Sequence, residues 1–252
     1  MNKTTLPGFT LIEIAIVICI MGILSGLGLP LFNQYIKQKR TQGTEDHLEK
    51  VIHSLSTFVL THKRLPCPAD PTATSNEKGI EQEACLYNKT FRGIIPYRSL
   101  GIPEKIAKDG YHNWITYAVS LDLTSLELKY LNQPDSTVPL TAVFCEVKKG
   151  ENELIVKNAD NISVIDSASD MIAFVLISHG QSGQGSFDEN GKTRSTSSSD
   201  KITNATSTQT FIDKPLNLSK ENLFDDVVKW VTRDNLMAFY GNKPCYREKT
   251  TS

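Results

Sequence analysis

The chain has 252 residues, a formal net charge of -1 and a pI near 6.5. Its length fits one anchored domain, since about 150 residues per domain is only a soft guide. Nucleic-acid binding is disfavoured, because basic clusters such as Lys37, Lys39 and Arg40 are too short to form a basic surface. The 39% hydrophobic share still allows a core of ordinary size.

The first predicted element is an apolar segment from Phe9 to Phe32. A helix needs about 20 apolar residues to cross a bilayer core, so the segment 9–32 is predicted to be a transmembrane helix. A cleaved secretory signal is the alternative, but it would have a shorter apolar core followed by a small-residue cleavage site. Pro30 removes one helical hydrogen bond and is expected to kink or end this helix.

One carboxylate, Glu13, interrupts the apolar segment near its start. A charge inside a membrane span is costly, so it usually has a partner and a function. The segment 8–13 reads GFTLIE and follows a short polar leader that contains Lys3. This pattern resembles the class III signal of type IV pilins and type II secretion pseudopilins, and the resemblance covers residues 3–40.

The resemblance implies that a prepilin peptidase removes the leader 1–8 by cutting between Gly8 and Phe9, and that the Phe9 amine is then methylated. It also implies that Glu13 of one subunit faces the new amino terminus of a neighbour and sets the axial register of a filament. That attraction is strong at low dielectric constant. An alternative is that Glu13 only reaches the membrane interface.

The implied partners are other pilin or pseudopilin subunits, the prepilin peptidase, the inner membrane and its assembly platform. The implied location is the bacterial inner membrane, with the C-terminal head in the periplasm and later extraction into a pilus or pseudopilus. A count of positive charges favours the opposite orientation, because Lys37, Lys39 and Arg40 follow the span. We give more weight to the paired cysteines, which favour an oxidising compartment.

A stalk helix is predicted over residues 33–64. Apolar residues recur there at helical spacing and form one stripe. The stripe consists of Leu48, Val51, Ile52, Leu55, Phe58 and Val59. We expect it to pack on the globular head, and a groove for a partner helix is the alternative. Pro66 and Pro68 should stop the helix.

The head, residues 65–252, carries an even number of cysteines: Cys67, Cys85, Cys145 and Cys245. They allow three pairings. None of them forms a CxxC pair, so a zinc site is not expected. We favour Cys67–Cys85, which would staple a proline-rich loop, with Cys145–Cys245 by elimination. Four reduced thiols are the alternative. Cys19, within the apolar segment, is expected to behave as an apolar residue.

A turn and strand are predicted from Asp109 to Tyr117, which is similar to an Asp-x-Trp-Gly-x-x-x-x-Tyr pattern of pseudopilin heads. Tyr111 and His112 replace the Trp and the Gly. Strands are predicted at 114–120, 138–147, 152–157 and 171–178, the last of them central. The polar stretch 185–211 is predicted to be a mobile loop.

A final helix is predicted from Ser219 to Tyr240, with Asp225 and Asp226 either on its solvated face or interacting with its N-terminal dipole. These elements together predict an α+β fold, in which a long N-terminal transmembrane and stalk helix packs on a small, mainly antiparallel sheet, as in pilins.

Catalytic motifs are incomplete. The segment 179–185, HGQSGQG, follows the predicted central strand but lacks the last glycine of a nucleophile elbow and the lysine of a phosphate loop. We expect a flexible turn there and a structural or surface role for His179. Calcium is conceivable at Asp188, Glu189 and Asn190, although a plain Asn-Gly turn fits better. No catalytic, metal or cofactor site is otherwise predicted.

The sequence therefore favours a non-enzymatic, structural, minor pilin-like subunit of a type II secretion pseudopilus or a type IV pilus. Two alternatives are a membrane-tethered periplasmic binding domain that does not polymerise and a tethered hydrolase.

Overall fold

The computed structural model describes residues 8–83, 85–125, 144–145, 147, 153–165, 170–206, 208–219, 221–239 and 241. The side chains of residues 24–30, which include the predicted kink at Pro30, lie outside this description. The chain divides into two units, Met1–Gln42 and Gly43–Ser252. The secondary structure is α+β, as predicted.

The first unit contains the beginning of a long helix, α1, which extends over Leu11–His62. Its amino-terminal part is rich in Ile, Val and Leu, and these side chains are exposed in the single chain. Of the helices that the structure describes, none is long and apolar enough to cross a membrane.

The second unit contains the end of α1, close to the predicted boundary at residue 64. Lys63 ends the helix with a φ of +56°, and the chain then turns so that Leu65 N donates to Leu123 O at 2.8 Å. The predicted apolar stripe packs into the core of this unit, where Leu48, Leu55 and Val59 are fully enclosed and Ile52 is partly buried. The prediction that the stripe packs on the head is therefore confirmed.

The strands that the structure describes are β1 (Arg92–Ile94), β2 (Thr116–Val119), β3 (Ile155–Lys157), β4 (Ile172–Ser178), β5 (Thr210–Ile212) and β6 (Val227–Thr232). Four of them form an antiparallel sheet in the order β1-β2-β4-β6, and β3 pairs with β5 in parallel. All seven residues of β4 are buried, and neighbouring strands flank both of its edges. The predicted central strand is confirmed.

Short helices complete the unit: α2 (Cys85–Asn88), α3 (Ser199–Ala205) and α4 (Arg233–Ala238). Single turns of 3-10 helix cover Glu104–Ala107 and Leu121–Leu123.

The helix predicted over residues 219–240 is wrong, because β6 and α4 occupy this segment. The run from Val227 to Thr232 is rich in β-branched residues, which fit a pleated strand better than a helix. Pairing with β4 along most of the length of β6 then decides its structure.

The polar segment 185–211 was predicted to be a loop, but α3 and the start of β5 lie within it. Its low apolar content gave no sign that Lys201 and Asn204 are buried. The strand predicted at 138–147 lies almost entirely outside the described residues.

Candidate functional site

The predicted processing residues Gly8 and Phe9 precede α1 in non-helical backbone and are exposed, Phe9 to 80%. The helix begins directly after Thr10. Glu13 N donates to Thr10 Oγ1 at 3.3 Å, and Thr10 N donates to Glu13 Oε2 at 3.4 Å. These reciprocal contacts form a capping box, so the peptide bond between Gly8 and Phe9 lies outside the helix.

The capping box was missed in the sequence analysis, although Thr-x-x-Glu before an apolar run is its usual signal. The capping box gives Glu13 a contact with Thr10 of its own chain. The contacts are exposed and at the long end of the hydrogen-bond range, so they hold the carboxylate weakly.

An extended apolar surface follows the capping box on α1. It consists of Leu11, Ile12, Ile14, Ile16, Val17, Ile18, Ile20, Met21 and Ile23, all exposed in the single chain. Cys19 is a free, exposed thiol on the same stretch. Contiguous apolar surfaces of this kind usually mark a protein or membrane interaction site.

The disulfide predicted between Cys67 and Cys85 is confirmed, with the two Cα atoms 5.8 Å apart. Cys145 is also disulfide-bonded, but Cys245 lies outside the described residues, so their pairing stays a prediction. A salt bridge also holds the Cys67–Cys85 loop, because Arg64 donates to both carboxylate oxygens of Glu81 at 2.8 and 2.9 Å.

An open pocket of about 600 Å³ lies beside this disulfide. Its wall includes Arg64, Glu81, Leu86 and Thr124. The hydrogen bonds that Arg64 donates to Glu81 raise the pKa of Arg64 despite partial burial, so the guanidinium stays charged but is already engaged by a carboxylate.

The predicted turn before β2 forms around Asp109, which is buried. Asp109 Oδ1 accepts the backbone N–H groups of Tyr111 and Asn113, both at 2.9 Å, and Oδ2 accepts the Ser178 hydroxyl at 2.6 Å. His112 adopts a φ of +68°, a left-handed conformation that favours glycine. The turn therefore forms although His112 replaces the glycine of the similar pattern.

Burial raises the pKa of Asp109, and its hydrogen bonds with Ser178 and the turn oppose that rise. Tyr117, the other residue of the pattern, is fully buried and donates its hydroxyl to Pro66 O at 3.0 Å. Burial raises its pKa well above the ordinary value. Both residues therefore have structural roles in the head.

The segment 179–185, which resembled a catalytic loop, contains no nucleophile–base pair. Ser182 donates its hydroxyl and its backbone N–H to the carboxylate of Asp225, at 2.8 and 2.7 Å. A serine held in this way is not activated by a histidine. His179 is fully buried, and its Nε2 lies 3.1 Å from Thr116 Oγ1.

A buried ion cluster lies behind this loop and consists of His179, Lys201, Asp225 and Asp226. Lys201 is fully enclosed and its ammonium contacts both carboxylates, with Asp225 Oδ1 at 2.5 Å. His179 Nδ1 lies 3.4 Å from Asp226 Oδ1 without the alignment of a hydrogen bond, and it makes none with any residue that the structure describes. Asn204 Nδ2 donates to Asp226 Oδ2 at 3.0 Å.

The prediction that Asp225 and Asp226 lie on a solvated helix face is therefore wrong. Burial by itself would raise the pKa of Asp226, but the neighbouring His179 and Lys201 together hold it below its ordinary value. The cluster was missed because its members are far apart in the chain.

The loop considered for calcium forms a turn in which Asp188 Oδ1 accepts the N–H groups of Asn190 and Lys192, at 2.9 and 2.8 Å. This carboxylate oxygen is therefore used by the turn itself. Among the described residues, no group of three or more His, Cys, Asp or Glu could hold a metal ion.

Comparison with known proteins gave no family model and no solved structure that matches this chain.

Proposed function

We propose that the chain is a minor pilin-like subunit of a type II secretion pseudopilus or a type IV pilus, inserted in the inner membrane by residues 9–32. The observation that carries this proposal is the arrangement at the amino terminus. A non-helical, exposed Gly8–Phe9 bond precedes a capped helix that bears Glu13 and a long apolar surface.

Processing fits this arrangement. A peptidase needs an extended, accessible peptide, and the capping box keeps Gly8 and Phe9 out of the helix. Cutting there creates an amine at Phe9, four residues before Glu13. The capping contacts of Glu13 are long and exposed, so the carboxylate is free to pair with the amine of a neighbouring subunit.

Assembly also fits the apolar surface of α1. In the membrane this surface would face lipid, and in a filament it would face the helices of other subunits. Inside such a bundle an unpaired carboxylate is costly, so the pair between Glu13 and a neighbour's amine would favour one axial register. The head would lie in the periplasm, where the Cys67–Cys85 disulfide is stable.

The first test is amino-terminal sequencing and intact-mass analysis of the membrane protein from cells with and without prepilin peptidase. We expect a chain that begins with N-methylated Phe9 only when the peptidase is present. An uncut chain in both strains, or a cut after the apolar segment, would contradict the proposal.

The second test replaces the assembly residue. Glu13→Gln keeps the shape of the side chain but removes its charge, and we expect cleavage at Gly8 to continue while incorporation into sheared filaments is lost. Glu49→Gln, an exposed change later in α1, is the matched control. Equal incorporation of both variants would show that the charge of Glu13 is not needed for filament assembly.

A tethered periplasmic binding domain is the second candidate, favoured by the open pocket beside the Cys67–Cys85 disulfide. It predicts that Glu13→Gln leaves function unchanged and that substitutions in the pocket, such as Leu86→Arg, abolish it. The two candidates therefore differ in which of these variants is inactive.

A further inference from the structure

The buried ion cluster places an amine against two carboxylates in a site closed to solvent. Lysine is almost never fully buried unless it is paired, and Lys201 is fully buried. Its Nζ contacts Asp226 Oδ1 and lies 2.5 Å from Asp225 Oδ1. Lys201 belongs to α3, whereas the two aspartates directly precede β6.

We propose that Lys201 and Asp226 are joined by an isopeptide bond that forms within the folded head. This proposal goes beyond the filament role, and it depends only on the geometry of the cluster. The bond would tie α3 to β6 and so connect the polar segment 185–211 covalently to the four-stranded sheet.

The reaction needs the uncharged forms of both groups, which the ion pair can supply by an internal proton transfer. Transfer of one proton from the Lys201 ammonium to the Asp226 carboxylate gives an amine and a carboxylic acid, with no change in net charge. Burial by itself opposes the charged pair, but His179 and Lys201 hold the pKa of Asp226 below its ordinary value, so the neutral pair forms only transiently. The unprotonated amine is the nucleophile, and groups held in contact react with effective concentrations on the order of 10⁵ M or more.

The neighbouring side chains have defined roles in this reaction. Asn204 Nδ2 donates to Asp226 Oδ2 at 3.0 Å and can stabilise the negative charge that develops on that oxygen. Asp225 accepts two hydrogen bonds from Ser182 and contacts the Lys201 ammonium, which places its carboxylate to act as the base.

His179 borders the proposed reaction site. Its Nδ1 is buried, lies 3.4 Å from Asp226 Oδ1 and makes no hydrogen bond with the residues that the structure describes.

The atoms balance without any co-reactant. Lys201 Nζ attacks Cγ of the protonated Asp226, and Asp225 takes one proton from the nitrogen. The bond from Cγ to Oδ1 then breaks, and this oxygen leaves as water with the proton of the acid and the proton returned by Asp225. One amide forms, one water is released, and nothing is oxidised or reduced.

The test is mass spectrometry of the purified full chain after reduction of its disulfides. We expect a mass about 18 Da below that of the uncross-linked chain with the same amino terminus, because condensation releases one water. Proteolysis should then give one branched peptide that joins Lys201 to Asp226, which fragmentation locates. Linear peptides at both residues would overturn the proposal and leave an ion pair only.

Variants separate the roles within the cluster. Lys201→Arg keeps a cation but has no primary amine, and Asp225→Asn removes the base; both should give a chain without the loss of water. Lys214→Arg is the matched control, because Lys214 pairs with Asp200 outside the cluster and the loss should persist. A branched peptide that persists in Asp225→Asn would show that Asp225 is not the base.

The result for the wild-type chain does not depend on whether any variant folds. It is also independent of processing, because removal of the leader changes only the amino-terminal peptide. Failure of the isopeptide and failure of the pilin proposal are therefore seen in different peptides.

Discussion

Asp109 is the residue whose replacement tests the head most directly. Asp109→Ala removes the acceptor of two backbone N–H groups and of the Ser178 hydroxyl. A buried donor that loses its partner costs about 1–3 kcal/mol, and Tyr111 is only half-buried, so we expect a loss of about 2–5 kcal/mol in the free energy of unfolding.

Asp109→Asn is the matched variant. Its Oδ1 can still accept the N–H groups of Tyr111 and Asn113, and its amide can donate to the oxygen of Ser178. We therefore expect a loss below about 1.5 kcal/mol.

Wild type and Asp109→Asn also differ in how their stability depends on pH. Burial raises the pKa of Asp109, so the folded state binds this proton more tightly than the unfolded state does. The contribution of this proton to the free energy of unfolding is fully present below the ordinary aspartate pKa. It is lost as pH rises through the raised pKa of the folded state. Asp109→Asn has no such titration, so its stability relative to wild type should improve as pH rises through this window.

The assay is urea denaturation of the purified full chain, followed by the fluorescence of Trp114 and Trp230, both of which lie in the head. Measurements from the acid range to neutral pH give the free energy of unfolding of each form. Equal losses for Ala and Asn, or a difference between Asn and wild type that does not change with pH, would refute the reasoning.

The same assay tests two further features. Leu55→Ala should cost about 2–5 kcal/mol, because Leu55 is fully buried, whereas Leu60→Ala, on the exposed side of α1, should stay within about 0.5 kcal/mol. Equal effects would show that the stripe does not pack on the head. Gly180→Ala and Gly101→Ala both place a side chain at positive φ, at a cost of about 1–2 kcal/mol. Only at Gly180 does the new Cβ closely approach a backbone oxygen, that of Asp225. Gly180→Ala should therefore be clearly less stable than Gly101→Ala.

The sequence by itself determined the features that depend on neighbours in the chain. Helical spacing predicted the buried stripe of α1, because that period places every third or fourth residue on one face. A short apolar run predicted β4, and the proline-rich loop between Cys67 and Cys85 favoured the disulfide that is observed. The amino-terminal pattern likewise carries the proposed processing and assembly roles.

The tertiary structure decided the features that depend on distant partners. The segment of β6 has an apolar pattern that also suits a helix. It forms a strand because it pairs with β4 in the folded head. Lys201 lies in the polar segment predicted to be a mobile loop, but it is buried because Asp225 and Asp226, more than twenty residues later, converge on it. Local periodicity cannot report such pairings, since the free energy that stabilises them comes from contacts made only after the chain has folded.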